Sequence, residues 1–116
     1  MFIGHVHQVP EETVQYQGTR GATLRWLLTE KQGAAHFAMR LVTLEPQGVI
    51  ALHTHPFEHE IFVIRGHGAI IREDGRVPVG PGSFLFVPGD EPHGFETTGE
   101  EPLELVCCIN TDRSLP

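Results

Sequence analysis

Short apolar runs alternate along the whole chain with glycine, proline and Asp-Gly punctuation, a pattern of many strands joined by tight turns. The runs occupy residues 23–29, 37–44, 50–55, 60–65, 69–73, 76–79, 83–87, 94–97 and 103–110. No longer segment carries a helical period, and residues 30–35 hold at most one turn of helix. Asp74-Gly75 predicts a two-residue hairpin between its flanking runs, with the positive φ angles of a type I′ turn. Residues 2–6 and 14–16 are candidate edge strands. Ile61-Phe62-Val63-Ile64 and Phe84-Leu85-Phe86-Val87 are apolar on both faces. Such strands are expected where two sheets face each other or where a second subunit covers the outer face. The pattern therefore predicts an all-β sandwich or closed barrel, with a homodimer as the expected assembly.

Composition narrows the class. The 116 residues form one expected domain, 1–116, large enough to bury a core without disulfide staples. A net charge of -7 argues against nucleic acid and anionic membrane surfaces as partners. No apolar run approaches the ~18 residues that span a bilayer. The first residues lack the basic start and apolar stretch of a signal peptide. Cys107 and Cys108 are adjacent and poorly placed to pair with each other, so a reduced, cytoplasmic protein is expected.

Candidate chemistry is concentrated in His53-Thr54-His55-Pro56-Phe57-Glu58-His59-Glu60. On an extended strand His53 and His55 leave the same face, roughly 6.6 Å apart along the backbone. Clustered imidazoles point to a divalent transition metal far more strongly than one does. His93 supplies a further candidate forty residues after His53. Alternation through residues 59–65 leaves both His59 and Glu60 open as ligands and leans towards Glu60, but Pro56 interrupts the phase from His55. By the same alternation Leu103, Leu105, Cys107 and Ile109 face inward, with Glu104 outward. Phe95 shares a face with His93, and Ile50 precedes the histidines, so Ile50, Phe95, Leu105 and Cys107 are the candidate pocket wall. Arg40 interrupts an apolar strand, as a site for an acidic substrate, a contact for a partner subunit or a surface charge. His5, His7, His36 and His67 read as solvated.

Two spaced motifs carry a family resemblance. Gly48-x4-His53-x-His55-x4-Glu60-x5-Gly66 resembles the first cupin motif, and Gly82-x5-Pro88-x-Asp90-x2-His93 resembles the second. The glycines of the first motif each sit one residue closer than in its commonest form, and Thr97 stands where the second often has asparagine. The run from His53 to Val63 is similar to small single-domain cupins that hold manganese on four histidines. That resemblance implies a conical antiparallel β-barrel, the double-stranded β-helix or jelly roll, with one metal inside on His53, His55, His59 and His93. It also implies a dimer. Manganese is the metal the resemblance suggests, while imidazole equally suits Fe, Ni, Cu and Zn.

A metal-dependent oxidoreductase acting on a small organic substrate is the expected function. A non-catalytic metal or metabolite sensor and a redox-neutral isomerase or lyase are its alternatives. Acidification through the ordinary imidazole range, near pH ~6.5, is expected to release the metal.

Overall fold

The computed structural model describes residues 1–113. It contains nine strands: β1 (Glu12–Thr13), β2 (Arg20–Leu28), β3 (Phe37–His53), β4 (His59–Arg65), β5 (Gly68–Arg72), β6 (Gly75–Val79), β7 (Phe84–Val87), β8 (His93–Thr97) and β9 (Leu103–Asn110). Single 3-10 turns at Val6–Gln8 and Glu30–Gln32 are the other regular elements among the described residues. The strands form one curled sheet in the order β6-β5-β8-β3-β9-β4-β7, with β2 on β3 and β1 on β2. Every pairing is antiparallel. No helix among the described residues is long and apolar enough to cross a membrane.

β3 organises the barrel because it joins two regions of the sheet. Its first half, Phe37 to Leu44, pairs with β9, whereas Val49 to His53 pair with β8. The runs at 37–44 and 50–55 are thus one bent strand and not two separate ones. The bend falls at Gln47, whose φ is 66°, and at Gly48, where a Cβ would lie 2.7 Å from the carbonyl oxygens of Glu45 and Gly21. Only glycine fits a backbone approach this close.

Alternation fills the interior. On β9, Leu103, Leu105, Cys107 and Ile109 are buried, and on β4 so are His59, Ile61 and Val63. Fully burying each large aliphatic chain contributes ~1.5–3 kcal/mol. The outer partners on β4 and β7 stay exposed: Phe62 by 48%, Ile64 by 45%, Phe84 by 82% and Phe86 by 58%. These strands are therefore buried on one face in the single chain, and no second sheet among the described residues covers the other.

Two local expectations need correction. The hairpin between β5 and β6 turns through Glu73-Asp74, because Gly75 already pairs with Arg72. Gly75 alone takes a positive φ, 137°, so the turn is not type I′. Residues 2–6 and 14–16 form no strand. The edge pairing at the N-terminal side is made instead by Glu12 and Thr13 against Leu24 and Thr23.

Gly94 sets how closely β8 approaches β3 beside the site. A Cβ there would sit 2.5 Å from the carbonyl oxygen of Ile50. Gly94→Ala is expected to destabilise the protein by about 1–3 kcal/mol, the usual cost of overfilling a closed space. Urea unfolding followed by far-UV circular dichroism measures it, and an unchanged midpoint would show that β8 moves freely.

Candidate metal centre

Three strands deliver the histidines to one place. His53 ends β3 and pairs directly with His93, the first residue of β8, while His59 opens β4. His55 lies in the connection between β3 and β4, and the backbone N–H of Asp90 donates to its carbonyl at 2.8 Å, tying the two histidine segments together. One ligand atom from each of His53, His55 and His93 falls within 4.8 Å of the others, so these three residues could hold a metal ion.

Their orientation has a common cause. Nδ1 of His53 lies 2.8 Å from the carbonyl oxygen of Ala51, that of His55 2.8 Å from Phe57, and that of His93 2.8 Å from Glu91. A carbonyl only accepts, so in each ring Nδ1 carries the proton and donates it. Nε2 is left as an unprotonated lone pair, the form in which imidazole binds a metal. His93 Nε2 is buried and has no hydrogen-bond partner. An orphaned acceptor of this kind inside a fold fits a cation.

His59 stands at the edge of this group. It is buried, with ring centroids 4.3 Å from His55 and 5.0 Å from His93, and its Nε2 lies against His55 Nε2. No backbone carbonyl holds its Nδ1, which instead meets Cys107 Sγ at 2.7 Å and Arg40 Nη2 at 3.3 Å. Glu60 points the other way, exposed on the outer face of β4. His5, His7, His36 and His67 are all exposed.

Electrostatics keep the cluster neutral. Burial lowers the pKa of His53 to about 4, with the hydrogen bond to Ala51 opposing and the neighbouring His93 and Arg40 adding to the shift. Burial, then Arg40 and the other rings, lowers that of His59 to about 2. His55 and His93 are lowered as well, again chiefly by burial. Burial raises the pKa of Cys107, with Arg40 opposing, so the group beside His59 is a thiol.

A cavity of about 450 Å³ opens beside His53 and His59. The expected wall residues Ile50, Phe95, Leu105 and Cys107 all line it. The sequence reading missed Trp26 and Tyr16, which line it too. Tyr16 stacks on His53 with ring centroids 3.9 Å apart and planes 17° apart. It lies in a loop that returns from outside the barrel, and nothing in its local sequence signals this. Trp26 is the only tryptophan of the chain and pairs in register with Arg40 across β2 and β3. Alternation along β2, which sets Trp26 on the same face as Leu24, another lining residue, is the sequence signal that could have placed it.

The sequence and the fold match those of a known family. A model of the Cupin domain matches residues 40–109, and the chain belongs to the cupin family. It is 31% identical over 104 residues to the oxalate-binding protein of Thermotoga maritima, covering 86% of this chain and 85% of that one. Protein SchB of Streptomyces halstedii is 33% identical over 89 residues, covering 75% of this chain and 64% of SchB. Among solved structures, the polyketide cyclase RemF from Streptomyces resistomycificus superposes with a TM-score of 0.90 at 31% identity. That match covers 97% of this chain and 81% of RemF.

Single replacement of His53, His55 or His93 by Ala is expected to lower metal content severalfold, measured by inductively coupled plasma mass spectrometry. Replacement of His5 or His67 should leave it unchanged. Equal metal content in all five variants would disprove the centre.

Acid dependence follows from the lowered pKa values. Between the unfolded value of 6.5 and about 4 for His53, the unfolded chain binds more protons than the folded one. Stability of the metal-free protein is therefore full above pH ~7 and falls as pH drops through this window. Protons also compete for the ligand nitrogens only at lower pH than for free imidazole, so acid release of metal shifts below the ordinary range. Melting curves and metal retention measured from pH ~7.5 to ~4 check both; release centred at pH ~6.5 would show that burial does not protect the rings.

Proposed function

We propose that the protein is a metal-dependent enzyme that closes a ring in a small carbonyl compound held in the barrel cavity. The observation that carries this reading is the convergence of unprotonated Nε2 atoms on His53, His55 and His93 beside a largely apolar cavity, with that of His93 buried and unpartnered. His59 is the fourth ligand in this reading, through Nε2, once its proton sits on Nδ1 and is donated to Cys107 Sγ. Manganese is the metal we favour. When bound, such a metal supplies Lewis acidity that polarises a carbonyl oxygen and makes the adjacent carbon more acidic.

The protein's own groups do the rest. Ile50, Phe95 and Leu105 exclude water and fold the substrate chain back on itself, so that two carbons meet within the cavity. In the reaction, a carbon flanked by two carbonyl groups loses a proton and bonds to the carbon of a third carbonyl group, whose oxygen gains a proton. No oxidant enters and no electrons leave. The likeness to the polyketide cyclase RemF supports this choice among cupin reactions.

An oxidation of a small apolar substrate is the second reading. It is favoured by the cavity lining, where the carboxylate present is Glu12, an exposed residue of β1, and no buried carboxylate stands ready as general base.

Manganese-loaded protein incubated with an acyclic triketone is expected to yield a cyclic product isomeric with the substrate or one water lighter. Oxygen consumption should stay at background. His93→Ala should reduce the rate by at least about a hundredfold, the scale of losing a principal electrostatic contributor. Product formation that requires oxygen would replace ring closure by the oxidative reading. Tight binding without any product would leave a sensor.

A further inference from the structure

Arg40 occupies an inward-facing position of β3, between the buried residues Ala38 and Val42. Its guanidinium enters the cavity beside the histidines. Nη2 is 3.3 Å from His59 Nδ1, and Cζ lies 5.4 Å from the ring centre of Trp26. Nε is buried without a hydrogen-bond partner. Five ion pairs join side chains among the described residues, and none of them uses Arg40. Glu12 lines the same cavity, yet no ion pair joins it to Arg40.

A guanidinium cannot shed its proton at any physiological pH. Arg40 is partly buried, with Nε shielded from water, and holding its charge against an apolar wall without a counter-charge is unfavourable. The neutral imidazoles beside it supply no negative charge, and a divalent cation there adds to the positive field. A ligand that carries a negative charge would supply the counter-charge the protein does not. Planar oxyanions suit the site, because the guanidinium fork matches a carboxylate or enolate with two parallel hydrogen bonds. Trp26, Val42, Ile50, Phe95 and Leu105 give the lining an apolar wall, and Thr13, Gln15 and Tyr16 are uncharged polar members of it, so Arg40 is the permanently cationic side chain of this lining. The cavity's size is within the range of small-molecule sites.

We propose that Arg40 is the anion-binding residue of this cavity, and that the ligand is a small apolar molecule carrying a planar oxyanion, a carboxylate or stabilised enolate. The inference rests on the reading of the cavity as the substrate site, and it deepens that reading by naming the substrate class. Arg40 selects the ligand and orients it through the anionic end, which leaves the apolar body against Ile50 and Phe95. A neutral molecule of the same shape lacks the group that satisfies the guanidinium.

Benzoate and its neutral isostere benzamide separate charge from shape. Trp26 is the chain's only tryptophan and lies under the guanidinium, so its fluorescence reports occupancy without any turnover. Benzoate is expected to bind at least about tenfold more tightly than benzamide, in line with a charge-assisted hydrogen-bonded pair. Arg40→Met should abolish that preference, and Arg40→Lys, which keeps charge but loses the fork, should retain part of it. Arg113, which also lies over Trp26 with Cζ at 4.5 Å, supplies a control, and Arg113→Met should keep the preference intact. Repeating the titrations on chelator-stripped protein separates this inference from the metal-dependent reaction. A preference that survives stripping and is lost in Arg40→Met supports the assignment, even where ring closure fails. Equal affinity for the two probes in the unmodified protein overturns it. So does a preference that disappears with the metal and is indifferent to Arg40→Met, and that result would leave the proposed reaction standing.

Discussion

Three hydrogen bonds from histidine Nδ1 to backbone carbonyl oxygens determine what this barrel can do. His53, His55 and His93 each reach a carbonyl two residues away, at Ala51, Phe57 and Glu91, all at 2.8 Å. Each bond fixes a tautomer and a ring plane together, so no ring has to choose its protonation when a cation arrives. A short local bond of this kind is robust, because it depends on the strand end that carries the residue and not on distant packing. The burial that lowers the pKa values acts in the same direction: the rings are neutral and ready at ordinary pH.

The scaffold's contribution is to bring those strand ends together. The β3–β8 pairing places His53 opposite His93, and Gly94 permits that pairing by leaving room for the carbonyl of Ile50. The β3–β9 pairing places Arg40 opposite Cys107, and β4 pairs with the other edge of β9 so that Ile61 also faces Cys107. One bent strand therefore carries both the first histidine of the candidate metal centre and the guanidinium, one at its end and one near its beginning. The apolar residues between them become the cavity wall.

Much of this was legible in the sequence, for identifiable reasons. Period-two alternation in 103–110 marks the inner face of β9 correctly, because that strand is flanked on both sides and has no bulge. The same argument failed in 59–65. Phe62 and Ile64 are as apolar as Ile61 and Val63, so hydrophobicity alone could not say which set faces inward, and it leaned to Glu60. The structure puts Glu60 outside with Phe62, and His59 inside with Ile61. The continuity of β3 was hidden because Pro46 and Gly48 look like turn residues, whereas here they bend a strand that keeps pairing on both sides of the bend. The place of Tyr16 over His53 depends on a loop returning across the barrel mouth, which no local pattern encodes.

His59 is where the metal reading and the anion reading meet. Arg40 is a donor only, so its 3.3 Å contact with Nδ1 requires a lone pair on that nitrogen and puts the ring proton on Nε2. A ligating His59 needs the opposite tautomer, with the proton on Nδ1 and Cys107 Sγ, at 2.7 Å, as its acceptor. The two arrangements exclude each other. Occupation of Nε2 by a cation therefore removes His59 as an acceptor for Arg40 and leaves the guanidinium with the weakly accepting Cys107 Sγ. The anionic ligand proposed for the cavity would be the stronger acceptor. In this way a single ring, held by no backbone carbonyl, links the two positive centres of the site and makes the anion more necessary when the metal is in place.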